Sequence, residues 1–466
     1  MKKITLYIFF ILTVTFSYSQ RNIDFTADNF QDKKKELSVV KKKMGAGYQL
    51  YNKKIAANDK YMHPVIELLQ PAYEFNPNNE DLNFKMGNSY FILNKYEKAL
   101  PFFEKAEQLD TEHDIRLILW LGVCEFYTMK YEESYDHLKK FINDGNGGEM
   151  LDSIADHYIQ KTRNLKTILS NPINTKIEKI NISIGNYDSI SHPFLSSDEN
   201  ELFFNVFIKN EKGAEKIINY YSSAVENGWS KPKEMNIDNF SDQNFEMVCI
   251  SGRKNKLILK SKSKDNDYDL YESNLMDTRW SNPVKMPSAI NTFQNEINAT
   301  FSNNDSLLYI VTNRNGGIGE YDIWKSMKDE NGWWKIPVNI GGEINSDMNE
   351  WNISFSGNEE MAYITSDRHQ SIGGADIFKS SFLEKVFSTP QQLGYPINTI
   401  KNEKNFFSLK TGNKGIMVLQ NDKDEKTAIY LILLPPQSKS PGTQKEEMLF
   451  YSFPSIQKSF IIPNDL

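Results

Sequence analysis

Cysteine is scarce in this sequence, with two in 466 residues, which excludes a disulfide framework and a zinc-ribbon arrangement. Positive charge is in deficit: 54 Lys and Arg stand against 61 Asp and Glu, a net charge of -7. The basic footprint of a nucleic-acid binder is therefore missing, and Lys33 to Lys35 and Lys41 to Lys43 read as one solvated helix face. The six histidines, His63, His113, His137, His157, His192 and His369, never fall at metal-ligand spacing. No phosphate loop, no Gly-x-Ser-x-Gly elbow and no His-Glu-x-x-His is present, so the common signatures of nucleotide, hydrolase and zinc-protease chemistry are absent. Neither a catalytic residue, a cofactor nor a metal is expected, and the chain reads as a non-enzyme.

Long apolar runs are also lacking. The longest, Ile4 to Phe16, falls short of the ~20 residues that a membrane-spanning helix needs. Lys2 and Lys3 precede it, and Ser17-Tyr18-Ser19 supplies small residues before Gln20, so residues 1–19 read as a cleavable export signal. With no Cys at that cut, a lipoprotein is not expected. The chain is placed in the periplasm or at the outer membrane, with an extracellular location as the alternative.

What is abundant is aromatic: 29 Phe, 23 Tyr and 7 Trp make up 13% of the chain. The length exceeds the ~250–300 residues at which one core stops growing, so two domains are expected, and two internal repeats divide them. Between residues 80 and 145 the period is 35: Gly87, Tyr90, Ala99 and Phe103 of one copy are followed by Gly122, Tyr131, Ser134, Leu138 and Phe141 of the next. Small residues at that spacing let antiparallel helices approach closely while rings lock neighbouring hairpins. Val65, Leu69, Ala72 and Pro77 mark an earlier copy whose first helix, around Gly47 to Ala57, fits poorly. Residues 149–169 read as a capping helix.

After Asn171-Pro172 the pattern turns to short apolar alternations between Gly, Asn, Asp and Ser turns. Here the period is 53 or 54: Glu296 matches Glu350, Asp322 matches Asp376, Pro337 matches Pro390 and Asn345 matches Asn398. Five copies are countable, each with about four strand-length runs, which is one propeller blade. Residues 176–184 look like a last strand without its first three, and the copy after Asn402 lacks a clear last strand. The simplest closure lets the former complete the latter, giving five blades; a sixth using the tail after Met448 is the alternative.

The 35-residue units resemble the tetratricopeptide (TPR) repeat family, with Gly87, Tyr90, Ala99, Phe103 and Gly122 as structural residues. The longer units resemble the TolB-like, WD40-like β-propeller repeat: Ser-x-Asp, an aromatic strand, Asp-Ile-Tyr, then Trp-x-x-Pro. An export signal, a TPR array and such a propeller in that order are similar to envelope proteins of Bacteroidetes. Those often end in a peptidoglycan-binding OmpA-type domain, one group serving type 9 secretion and gliding; no OmpA-type domain is read here. The expected class is thus multidomain: an all-α TPR superhelix over residues 25–170, an all-β propeller over 176–435, and a linker with a short aromatic tail over 436–466. The resemblance implies protein partners through the TPR groove and the propeller face, an outer-membrane protein among them, and a scaffold role in secretion, gliding or envelope assembly. The alternative is a propeller that binds glycans or acts on polysaccharide.

One constellation stands out. Glu296, Glu350 and Glu403 recur at the entry to each blade's first strand, with Glu246 one place out of register. These carboxylates either ring a channel mouth and bind a cation or basic peptide, or brace the loop between one blade and the next.

Overall fold

The computed structural model describes residues 21–109, 115–145, 147–196, 198–209, 215–226, 228–237, 244–357, 359–383, 386–403, 405–409, 412–420 and 426–434. The export signal and the C-terminal tail read from the sequence lie outside them. The chain divides into two compact units, the first reaching Ile159 and the second beginning at Gln160.

Seven α-helices among the described residues precede the sheets: α1 (Lys34–Ala56), α2 (His63–Phe75), α3 (Glu80–Ile92), α4 (Tyr96–Leu109), α5 (Ile115–Tyr127), α6 (Tyr131–Asp144) and α7 (Gly148–Ser170). The first six pack as successive pairs, α1 with α2, α3 with α4, and α5 with α6. Local signals fix the ends: Asn79 caps α3 by accepting the Leu82 N–H at 3.0 Å, and Gly145 ends α6 at φ +67°. Gly87 is the contact point of its pair, since a Cβ there would sit 2.8 Å from the Phe103 ring. Gly122 meets Leu138 in the same way, and Ser134 Oγ donates to the Gly122 carbonyl at 2.7 Å. Gly87→Ala is expected to cost about 1–3 kcal/mol, because fully buried Phe103 cannot retreat; urea denaturation checks it.

The poorly fitting first copy is a helix all the same. Gly47 of α1 approaches Leu69 as Gly87 approaches Phe103. It stands 40 residues before Gly87 instead of 35, so the period fails where the packing does not.

Five antiparallel sheets follow, forming a five-bladed propeller. The first three strands run Ser189–Leu195, Glu201–Lys209 and Glu215–Val225 in blade 1, then Glu246–Ile250, Lys256–Lys262 and Tyr268–Met276 in blade 2. Blade 3 uses Glu296–Phe301, Leu307–Thr312 and Asp322–Met327, and blade 4 uses Glu350–Phe355, Met361–Ser366 and Asp376–Leu383. Blade 5 has Phe407–Ser408, Lys414–Gln420 and Thr427–Leu433. Its outermost strand is Lys176–Lys179, antiparallel to the last of these with Lys176 opposite Leu433 and Lys179 opposite Tyr430. The N-terminal strand thus closes the ring, and the five-blade expectation holds.

Rings fill the gaps between blades. Tyr309 of blade 3 meets Phe355 of blade 4 at 4.7 Å between centroids, Tyr363 meets Phe406 at 5.3 Å, and Phe407 meets Phe194 across the closure at 4.2 Å. Such offset and tilted pairs account for the aromatic share, since each sheet buries its faces only against neighbours. Among the described residues no helix is long and apolar enough to cross a membrane.

Candidate functional site

The repeated residues of the propeller converge on the junctions between blades. Asn291, Asn345 and Asn398 each act as a substitute strand residue. Asn345 Oδ1 accepts the Ile323 N–H and its Nδ2 donates to the Ile323 carbonyl, both at 2.9 Å. Asn291 does the same to Leu270, and Asn398 to Ile377. A side-chain amide offers one donor and one acceptor at peptide geometry, which explains its recurrence in this slot.

The Asn-Glu pairs come next. Asn295, Asn349 and Asn402 accept the N–H of Tyr268, Tyr321 and Ala375 in the preceding blade, at 3.0, 3.2 and 3.0 Å. Each following glutamate is completely buried. Glu296 accepts from Thr292 N–H (3.0 Å), Thr292 Oγ1 (2.8 Å) and Thr312 Oγ1 (3.0 Å), with Arg314 at 3.4 Å. Glu350 repeats the arrangement with Ser346, Ser366 and Arg368, the last at 3.1 Å. Each arginine also donates to a carbonyl of the entry loop, Ile290 and Ile344 respectively.

Glu403 accepts from Thr399 Oγ1 at 2.7 Å and Thr399 N–H at 3.4 Å, but among the described residues no arginine of its own blade meets it. Matching turns, Ser302 N–H to Leu307 and Leu409 N–H to Lys414, align Leu419 with Thr312. The one-place offset of Glu246 changes its partners: Ser191 Oγ at 2.7 Å, His192 at 2.8 Å and Lys260 at 2.9 Å.

These surroundings set the charges. Burial pushes the Glu350 carboxyl up to about 7 against the pull of Arg368 and the serines. Burial raises Glu296 in the same way. For Glu246 burial also works against the charge, yet Lys260 and His192 hold it below the usual carboxylate range. In the third strands, Asp322 accepts the Ile318 and Gly319 N–H groups, and Asp376 those of Ile372 and Gly373. Asp269, whose loop is shorter, instead meets the Lys285 ammonium at 2.6 Å.

A cavity of about 130 Å³ lies along the inner strands and is touched by all five blades. Phe194, Cys249, Phe301, Phe355 and Phe407 line it, whereas Glu246, Glu296, Glu350 and Glu403 do not. The glutamates stand at or before the start of their strands, and the cavity at the far end. Its volume is below the ~300–1,000 Å³ of ordinary small-molecule sites.

The structural residues of the helical unit are placed as follows. Ala99 and Phe103 are fully buried, Gly87 and Gly122 form the contacts described above, and Tyr90 stacks on Phe102 at 5.6 Å. His137 is clamped between Glu125 (2.7 Å) and Glu107 (3.4 Å), whose hydrogen bonds push it up to about 10. Both cysteines are free and buried, which raises the thiols and keeps them un-ionised.

Sequence reasoning found the glutamates but not their partners. Thr312-x-Arg314 and Ser366-x-Arg368 also recur at 54 residues, so the signal was present. The buried amides Asn298 and Asn352, which reach the Trp351 and Phe406 carbonyls of the next blade, were legible in the same way.

No protein-family model and no curated protein matches this sequence. Among solved structures the chain is similar to a putative TolB from Agrobacterium tumefaciens, at 16% identity and TM-score 0.34 over 52% of this chain and 76% of that one. TolB from Acinetobacter baumannii gives 12% and 0.32, over 54% of this chain and 55% of that one. A thermostable family-43 glycoside hydrolase gives 11% and 0.37, over 56% and 97%. At these identities nothing about activity carries over.

Proposed function

We propose that the protein is a non-enzymatic interaction scaffold of the bacterial cell envelope, exported by the signal at residues 1–19 and engaging protein partners, an outer-membrane protein among them. In this reading residues 25–170 form a TPR-like helical arm, residues 176–435 the propeller, and 436–466 a linker and tail. One observation carries it. The outer hairpin of blade 3 presents Met327, Trp333, Ile336 and Val338 to solvent, at 49, 69, 79 and 55% exposure. Tryptophan is among the residues enriched at interface hot spots, and several large apolar side chains exposed on one hairpin are the kind of surface that marks an interaction site.

The glycan-directed alternative draws less support, because the four glutamates accept hydrogen bonds or ion pairs from the chain itself and none lines the cavity. The experiment compares cross-linked partners of the wild type and of Trp333→Glu/Ile336→Glu in solubilised envelopes. The double variant is expected to lose the partner at least tenfold while keeping its thermal unfolding. Unchanged recovery overturns the blade 3 surface. Glycan-array binding that weakens in Glu296→Ala favours the alternative.

A further inference from the structure

Residues 32–43 of the helical unit hold six lysines, Lys33 to Lys35 and Lys41 to Lys43, against Asp32 and Glu36, in a chain whose net charge is -7. All six are exposed. Leu37, Gly47, Tyr51 and Ile55 of α1 turn inward, and at 3.6 residues per turn Lys34, Lys35, Lys41 and Lys42 then share the outward side as one stripe. Among the described α-helices only α2 packs against α1, so no neighbour covers that side.

The stability of the helix does not account for this placement. The start of a helix is the positive end of its dipole, where an acidic or capping residue is favoured. In α1 the cap position is Lys33, which makes no side-chain cap bond, and two further lysines follow it. Other lysines of the unit find carboxylates, Lys54 at Asp59 and Lys130 at Glu104, both at 2.6 Å. Among the described residues no ion pair joins any of the six. A local rule broken without a compensating contact is expected where a surface serves function.

The chemistry of the stripe narrows the partner. It is made of lysine without arginine, whereas protein interfaces are enriched in arginine, whose planar fork matches a carboxylate, and depleted in lysine. Between Lys33 and Lys43 there is no ring on which a nucleic-acid base could stack. Beside the stripe Val39 is 61% exposed, on the edge of an open groove of about 570 Å³ floored by Val40, Pro71 and Phe75, with Glu36 and Glu74 also on its wall. Flexible point charges next to an exposed apolar side chain suit a surface of mobile phosphates over hydrocarbon.

We propose that the outward side of α1 docks on a bilayer surface rich in anionic phosphate headgroups, with Lys34, Lys35, Lys41 and Lys42 over the headgroups and Val39 reaching between them. The contact is independent of the blade 3 hairpin.

Vesicle co-sedimentation of the full-length protein tests this, with phosphatidylcholine vesicles compared with vesicles that also contain about 30% phosphatidylglycerol. Residues 1–19 are common to all variants, so their own affinity cancels between them. The wild type is expected to prefer the anionic vesicles by about a hundredfold or more, since each of four lysines near such a surface contributes about fivefold. That preference is expected to shrink as salt shortens the screening length from about 10 Å at 0.1 M to about 3 Å at 1 M. Lys34→Gln/Lys35→Gln/Lys41→Gln/Lys42→Gln is expected to lose most of it while keeping its thermal unfolding, and the matching four arginine substitutions to retain it. Equal wild-type affinity for the two vesicles, a preference that survives the glutamine variant, or one that is lost on arginine substitution overturns the proposal. So does a wild type that ignores both vesicles but loses an envelope cross-link in the glutamine variant, which assigns the lysines to an acidic protein.

Discussion

Arg368→Met lowers the stability of the propeller by about 3–5 kcal/mol at pH 8, the cost of leaving a buried carboxylate without its partner. Three contacts are lost together: the 3.1 Å ion pair with Glu350, the donation to the Ile344 carbonyl, and the Nε bond to Ser366 Oγ at 3.2 Å. The guanidinium also lies 5.0 Å from the centre of the Phe378 ring, so packing suffers with charge. Two companion measurements separate the causes. Adding Glu350→Gln removes the stranded charge and is expected to restore a large part of the loss. Lowering the pH to 5 shrinks the deficit of the single variant, because Glu350, at about 7 even beside Arg368, then takes a proton in the folded state. Urea denaturation at the two pH values reads both effects, and a deficit that is unchanged by pH would assign the cost to packing alone.

That expectation marks how far the sequence could be read. The 54-residue period located Glu296 and Glu350 and offered two roles for them, a ring at a channel mouth or braces between blades. Both roles demand a carboxylate at a fixed blade position, so periodicity could not separate them. The difference lies in which atoms face the group, and this depends on the residues just past the second strand of the same blade, where Arg314 and Arg368 stand 18 residues downstream. Glu403 shows the limit more sharply. It follows the pattern, but Leu419 stands where Thr312 does, and the charge that acts on it most strongly, Asp376, comes from another blade.

In the helical unit the reverse happened. The period of 35 made Gly87 and Gly122 visible, yet the same packing at Gly47 was obscured by a spacing of 40. Close approach of two helices needs only a small residue opposite a large one, whatever the length of the loop between copies. Lys161 was missed for a related reason. A lysine in a polar amphipathic helix looks solvated, and nothing local tells that the Gly373 carbonyl accepts from it.

Ring closure was legible because a strand without companions and a blade without its last strand are complementary defects, and it supports the second large prediction. Ile180→Pro is expected to remove the N–H that Ile180 donates to the Ile429 carbonyl at 2.8 Å, just beyond the paired segment Lys176–Lys179. Proline also restricts Lys179, which is paired with Tyr430. Among the described residues the closing strand is the ladder that joins the two ends of the ring, so losing it exposes the outer edge of Thr427–Leu433 and the buried Ile429 and Ile432 beneath. A cost of about 3 kcal/mol or more follows, by analogy with proline placed where a backbone donor is needed. The comparison is Ile180→Ala, which keeps the N–H and gives up only part of a half-buried side chain, for a smaller loss. Thermal unfolding and limited proteolysis of the full-length protein distinguish them. If the proline and alanine variants unfold together, the backbone bond does not hold the ring, and side-chain packing between blades 5 and 1, as at Phe407 and Phe194, must do so instead.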